Sequence, residues 1–168
     1  MNIALEPLLL DFTTTDAEGH KLSLGDALRH TPAVICVGMP HVHASRLVVG
    51  YLRRLKAQLP GLPVWVVLQG DRSEVERYSA GYLDALQVRH DYDLRTSKQL
   101  RVSHVPTTFY LEGRDAEIRR HFSGFRRAAL NELAVLAAEA LGQKPKELIT
   151  TLDNKGEYEL AEKALSAE

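Results

Sequence analysis

Ala33-Val34-Ile35-Cys36-Val37-Gly38-Met39-Pro40-His41-Val42-His43-Ala44-Ser45 passes from an uncharged apolar hexamer through a proline turn into small and polar residues. Six such residues in a row suit a strand covered on both faces. After the turn the period changes. Val48, Tyr51, Leu52, Leu55 and Leu59 recur at three- and four-residue steps, the apolar stripe of a helix lying on a core. Pro60-Gly61 ends it.

Outward from this unit, Val64-Trp65-Val66-Val67-Leu68 is a second buried strand, with Trp65 read as core. Ser73-Glu74-Val75-Glu76 has the spacing of a capping box, followed by Val75, Tyr78, Tyr82 and Leu86 along a helix. A short helix is expected over Ser97 to Val102. Val105-Pro106-Thr107-Thr108-Phe109-Tyr110-Leu111 sets a proline immediately before a β-branched and aromatic strand, the place a residue without an amide donor tolerates. Strands Thr107 to Leu111 and Glu117 to Phe122 are joined by Glu112-Gly113-Arg114-Asp115, a hairpin connection. The last domain helix carries Leu130, Leu133, Ala134, Ala137 and Leu141 on one face and closes at Gly142. The chain thus reads as an α/β domain over residues 1–142 and a charged helical extension over 143–168. Within that extension, Glu147 to Glu168 faintly resembles one helix pair of a tetratricopeptide repeat, and a solvated helical tail is the preferred reading.

A chain of 168 residues buries roughly two-thirds of its unfolded surface. A formal charge of −1 gives no footprint for nucleic acid or an anionic membrane surface. No run approaches the ~20 apolar residues of a spanning helix, so no membrane insertion is expected. Met1-Asn2-Ile3-Ala4-Leu5-Glu6-Pro7 lacks the basic and apolar regions of a leader, which points to the cytoplasm, with an exported mature form as the alternative. The single cysteine, Cys36, cannot form an internal disulfide.

Together these features resemble the thioredoxin-like superfamily, and within it the redoxin branch of TlpA- and ResA-like proteins and their peroxiredoxin relatives, over residues 9 to 141. Asp11-Phe12-Thr13-Thr14-Thr15-Asp16-Ala17-Glu18-Gly19 is similar to that branch's opening hairpin, and Leu22-Ser23-Leu24-Gly25-Asp26-Ala27-Leu28 to the short helix after it. Val102-Ser103-His104-Val105-Pro106-Thr107-Thr108-Phe109 is similar to its proline loop. The resemblance implies a thioredoxin-like fold, with a central mixed sheet flanked by helices and an N-terminal hairpin, and a cis Pro106. It also places the family's C-x-x-C on Val42-His43-Ala44-Ser45. Both sulfurs are absent. That chemistry needs a low-pKa thiolate at a helix N-terminus and a second thiol to resolve it. Valine cannot ionise, and a serine hydroxyl cannot form a mixed disulfide. No catalytic residue is therefore assigned, and Val42, His43, Ala44 and Ser45 form a vestigial site. Cys36, mid-strand and flanked by Ile35 and Val37, reads as core.

Main-chain pairing needs no sulfur. In the family an extended peptide adds to the edge before the cis-proline, so His41, His104, Val105, Pro106 and Thr107 are candidate peptide-binding residues. The expected function is a redox-inactive binding or accessory, chaperone-like module for a protein or peptide partner. Two rivals stand beside it. His41, His43 and His104 could ligate zinc or copper, although helical positions 41 and 43 would point about 200° apart and a helix N-terminus opposes a cation. No other cofactor is expected. Alternatively, residual oxidoreductase or peroxidase-related activity would require an exposed Cys36. His121 could approach from the adjacent hairpin strand, whereas His20, His30 and His90 read as surface or strand residues. Ser45 is expected to satisfy a free backbone amide rather than act as a nucleophile. Arg46 is expected to border the groove, and Arg53 and Arg54 to lie on the solvated helix face. Glycine-rich phosphate loops are absent.

Overall fold

The apolar hexamer is the middle strand of a five-stranded sheet. The computed structural model describes residues 12–15, 19–83 and 86–166, so Asp11 and the hairpin residues Asp16, Ala17 and Glu18 lie outside it. In chain order come β1 (Thr13–Thr15), β2 (Lys21–Ser23), α1 (Leu24–Ala27), β3 (Ala33–Gly38), α2 (His43–Gln58), β4 (Val64–Leu68), α3 (Arg72–Tyr82), β5 (Gln87–His90) and α4 (Arg95–Gln99). There follow β6 (His104–Val105), β7 (Thr107–Glu112), β8 (Glu117–Ser123), β9 (Phe125–Arg126), α5 (Arg127–Ala140), a 3-10 turn at Thr151–Asp153, β10 (Tyr158–Glu159) and β11 (Glu162–Lys163).

The main sheet runs β5-β4-β3-β7-β8. β3 is parallel to β4, with Cys36 opposite Val66, and antiparallel to β7, with Cys36 opposite Thr108. Every residue of β3 and β4 is buried, as an apolar run without alternation requires. Parallel neighbours need a crossover, and α2 supplies it, burying Val48, Tyr51, Leu52 and Leu55. β7 turns into β8 through Gly113 at φ +79°, and α5 buries Leu130, Leu133, Ala134 and Ala137. Gly142, at φ +68°, closes α5. Its amide donates to Glu139 O at 3.0 Å and that of Gln143 to Ala138 O at 2.8 Å, the two bonds of a Schellman motif.

Several local expectations shift. α3 starts at Arg72 with Asp71 as N-cap, so Ser73 lies inside the first turn and no capping box forms there. Glu76 instead pairs with Arg72 at 2.8 Å, and Leu86 lies beyond the helix end. The short helix forms over Arg95–Gln99 rather than Ser97 to Val102, because buried Asp91 accepts the Thr96 and Ser97 amides at 3.1 and 2.9 Å and nucleates it early.

The larger correction concerns the C-terminal extension, whose described residues, 143–166, carry no α-helix. Leu148 and Ile149 are buried, and the Asn131 side chain holds both main-chain groups of Ile149, at 2.8 Å to its amide and 3.2 Å to its carbonyl. Arg54, expected on the solvated face, donates to Leu148 O at 3.1 Å and pairs with Asp153 at 2.9 Å, its guanidinium 5.0 Å from the Tyr51 ring centre. Beyond the 3-10 turn the chain pairs strand-wise, β10 with β9 and β11 with β6. Edges that would otherwise leave main-chain groups unpaired hold it extended, and its local helical preference loses.

Candidate functional site

Val42 is the N-cap of α2 and offers no side-chain bond to the helix. Its amide donates to Met39 O at 3.1 Å, and Arg46 Nη1 donates to Pro40 O at 2.9 Å, fastening the turn ahead of the helix. Val42 and Ser45 are 1% and 2% exposed. Ser45 Oγ accepts the Met39 amide at 3.2 Å and stands 3.0 Å from where a Cβ on Gly38 would lie. Ser45 thus satisfies a backbone amide, that of the turn rather than of the helix. Ser45→Ala should cost about 1–3 kcal/mol by leaving that buried amide without a partner. A urea midpoint shift equivalent to less than about 0.5 kcal/mol would show that Met39 finds another acceptor.

Cys36 is fully buried, and burial pushes its thiol up to about 12. It belongs to the core and has no solvent-facing sulfur to offer.

The Val105–Pro106 peptide bond is cis. The edge before it, expected to stand open to a partner, is paired with the chain's own C-terminus. Glu162 lies opposite Val105 and Lys163 opposite His104, antiparallel, and the Ala164 amide donates to Ser103 O at 3.0 Å. Thr107 Oγ1 donates to His104 O at 2.7 Å, bracing the loop from behind. Residues Glu157 to Leu165 therefore form a strap. It begins where Glu157 O accepts the Arg127 amide at 2.9 Å and continues with Tyr158 opposite Arg126 and Glu159 opposite Phe125. Gly124, at φ +79°, lets it pass, since a Cβ there would meet Glu159 O at 2.5 Å.

The three histidines take separate partners. His41 Nδ1 lies 3.0 Å from Glu74, His43 Nδ1 lies 2.7 and 2.9 Å from the two Glu159 oxygens, and His104 Nδ1 lies 3.0 Å from Ser103 Oγ. Among the described residues no group of three or more His, Cys, Asp and Glu side chains could hold a metal ion, so the proposed zinc or copper set is not assembled. His121 stacks on Phe109 at 6.2 Å between ring centres, and His90 Nε2 donates to Gly70 O at 2.7 Å.

Sequence reading missed Gln69, the residue with the most to say about the groove. It is fully buried at the end of β4. Its Oε1 accepts the Leu165 amide at 2.9 Å and its Nε2 lies 3.4 Å from Leu165 O. Nε2 also donates at 2.7 Å to Ser97 Oγ, whose proton goes to Asp91 at 2.6 Å. That chain of donors fixes the amide's orientation. A signal was present: a polar residue directly after the C-terminal end of an apolar parallel strand, where α/β sheets place ligands. Nothing comparable marked Glu74 or Glu159.

This fold is shared with solved proteins. A putative thiol:disulfide interchange protein DsbE from Chlorobium tepidum matches at TM-score 0.67 and 19% identity, over 84% of this chain and 99% of its own. The fold is thioredoxin-like. A hypothetical protein of Sinorhizobium meliloti with this thioredoxin-like fold matches at TM-score 0.64 and 13% identity, over 97% of this chain and 93% of its own. A mutant peroxiredoxin Q from Xanthomonas campestris matches at TM-score 0.57 and 16% identity, over 82% and 97%. No family model matches the chain, and no curated protein does. Likeness at these identities carries the thioredoxin-like fold and leaves activity to be argued from the site. Among the described residues, no helix is long and apolar enough to cross a membrane.

Proposed function

We propose that this protein is a redox-inactive thioredoxin-like module that binds an extended stretch of a protein or peptide partner as an added strand along His104–Val105. The observation carrying this reading is the pairing of β11 with β6: the edge accepts a strand, and the strand it holds comes from this chain. Main-chain hydrogen bonds supply affinity in such complexes and side-chain pockets supply selectivity. Similar folds belong to thiol-disulfide proteins, as the putative thiol:disulfide interchange protein DsbE is named. Here Val42 and Ser45 leave no nucleophilic sulfur at the helix start, and Cys36 is sealed in the sheet. Binding is then the property of the scaffold that outlives its chemistry.

The test is a panel of extended peptides screened against the full chain and against His104→Glu/Val105→Pro, after near-ultraviolet dichroism confirms that Trp65 keeps its packing. The proline removes an amide from the pairing edge. Peptides bound by the wild type should be lost from the variant by at least about tenfold in affinity, on the scale of about 1.4 kcal/mol. Equal binding by both proteins would move the site off this edge. Where the double variant does not fold, Gln69→Leu removes the side-chain contact to the bound backbone and leaves the edge amides in place.

A further inference from the structure

We infer that the strap Glu157 to Leu165 is a resident, displaceable ligand whose contacts define the peptide class that the groove accepts: an extended segment antiparallel to β6 with a carboxylate side chain for His43 and a small residue five positions later. This deepens the proposed peptide-binding function and rests on it.

Four recognition features act on the strap, and each sets a requirement. Ser103 O takes the Ala164 amide at 3.0 Å and β6 pairs with Glu162 and Lys163, which fixes direction and register without regard to sequence. Gln69 grips both main-chain groups of Leu165, again sequence-blind, and is held for that task by Ser97 and Asp91. Selectivity comes from the other two. His43, exposed on the first residue of α2, closes on both oxygens of Glu159, and the positive end of the helix favours an anion there. Ala164 is 8% exposed, so a small side chain fills its place, while Leu160 and Leu165 on either side remain exposed at 75% and 45%. The strap therefore buries little apolar surface of its own along this stretch, and its hold is mostly polar and main-chain. Such a segment exchanges readily with a competitor that repeats the same contacts.

Being tethered, the strap competes at an effective concentration in the millimolar range. A free peptide of the right class should bind the intact protein weakly and a strap-released protein well. The probe is a fluorescein-labelled peptide with the sequence of residues 155–166, Lys-Gly-Glu-Tyr-Glu-Leu-Ala-Glu-Lys-Ala-Leu-Ser, read by fluorescence polarisation. The release variant is full-length Glu159→Lys/Ala164→Pro, which reverses the charge facing His43 and removes the amide given to Ser103 while leaving every groove residue unchanged. Faster tryptic cleavage after Lys155, just ahead of the strap, reports release. Gly124→Val, which drives a side chain into the strap backbone, serves as an independent release variant.

The expected result is at least tenfold tighter binding of the probe by the release variants than by wild type, and at least tenfold weaker binding of a probe carrying the Glu159→Lys change. If released protein binds that altered probe as well as the original, or binds peptides of unrelated sequence equally, the strap is only a cover; the inference falls and the general groove reading stands. If released, folded protein binds no peptide at all, both fall.

Discussion

Cys36 in the folded protein should react with iodoacetamide about a thousandfold more slowly than in the same chain unfolded by denaturant at about pH 7.5. Burial raises the thiol from an ordinary 9.0 to about 12. The thiolate fraction at that pH drops from roughly 3 in 100 to roughly 3 in 100,000, and only the thiolate is nucleophilic. The same shift has a stability signature. A folded-state pKa above the unfolded one stabilises the fold fully below about pH 9, and that contribution is lost as pH rises toward 12. It amounts to about 4 kcal/mol at about 1.4 kcal/mol per pH unit. Cys36→Ala, leaving a small void, should be about 1–2 kcal/mol less stable than wild type at neutral pH. The gap should close above pH 9 and reverse near pH 10, because only the wild type then has a thiol to ionise. Urea midpoints for the two proteins across pH 7 to 11 check this. A constant gap, or rapid native alkylation, would put the sulfur in contact with solvent and revive the residual-oxidoreductase reading. Slow alkylation together with no disulfide-reducing turnover by either protein leaves that reading without a nucleophile.

The strand at Ala33–Gly38, the helix after it, the proline before β7 and the glycine closing α5 were legible because each is decided locally. An uncharged hexamer has few uses outside a doubly covered strand, and a three-four apolar stripe has few outside a helix on a core. That the chain holds a single cysteine is visible directly, whereas placing a C-x-x-C on Val42-His43-Ala44-Ser45 rests on the resemblance. What the local pattern could not show was the strap. Ala161-Glu162-Lys163-Ala164-Leu165 is composed of good helix formers. Its extended state is set by an unpaired edge at His104–Val105, nearly sixty residues earlier, together with Gln69 further back still. Arg54 was misread on similar grounds: an arginine on the outer side of an amphipathic helix is ordinarily solvated, and only the path of the tail makes it an anchor. His41, His43 and His104, grouped because the resemblance places the proline loop opposite the helix start, make three separate contacts. One of them, His43, meets the strap through Glu159.

Phe125→Ala should cost about 3–5 kcal/mol, the range for truncating a buried phenylalanine, and should at the same time free the strap. Phe125 is 1% exposed and its ring stacks on Tyr51 with centres 5.9 Å apart. Tyr51 also lies against the Arg54 guanidinium, which holds Leu148 and Asp153 at the beginning of the C-terminal extension. Along the chain, Phe125 is also the direct β partner of Glu159, so its backbone sets the register that brings that carboxylate to His43. One side chain therefore supports both ends of the extension. Removing it takes the packing from Tyr51 and from the strand beneath the strap together. Two readouts should move in concert: the urea midpoint, and the rate of tryptic cleavage after Lys155 and Lys163. Leu152→Ala is the control, because Leu152 lies in the same extension but is 94% exposed, and it should shift stability by no more than about 0.5 kcal/mol. If Phe125→Ala destabilises the core while strap cleavage rises only in proportion to global unfolding, the strap is held independently of this packing, by Gln69 and the β6 edge alone. A rise in cleavage far exceeding that proportion would show local detachment below the cost of global unfolding, the behaviour a displaceable ligand requires.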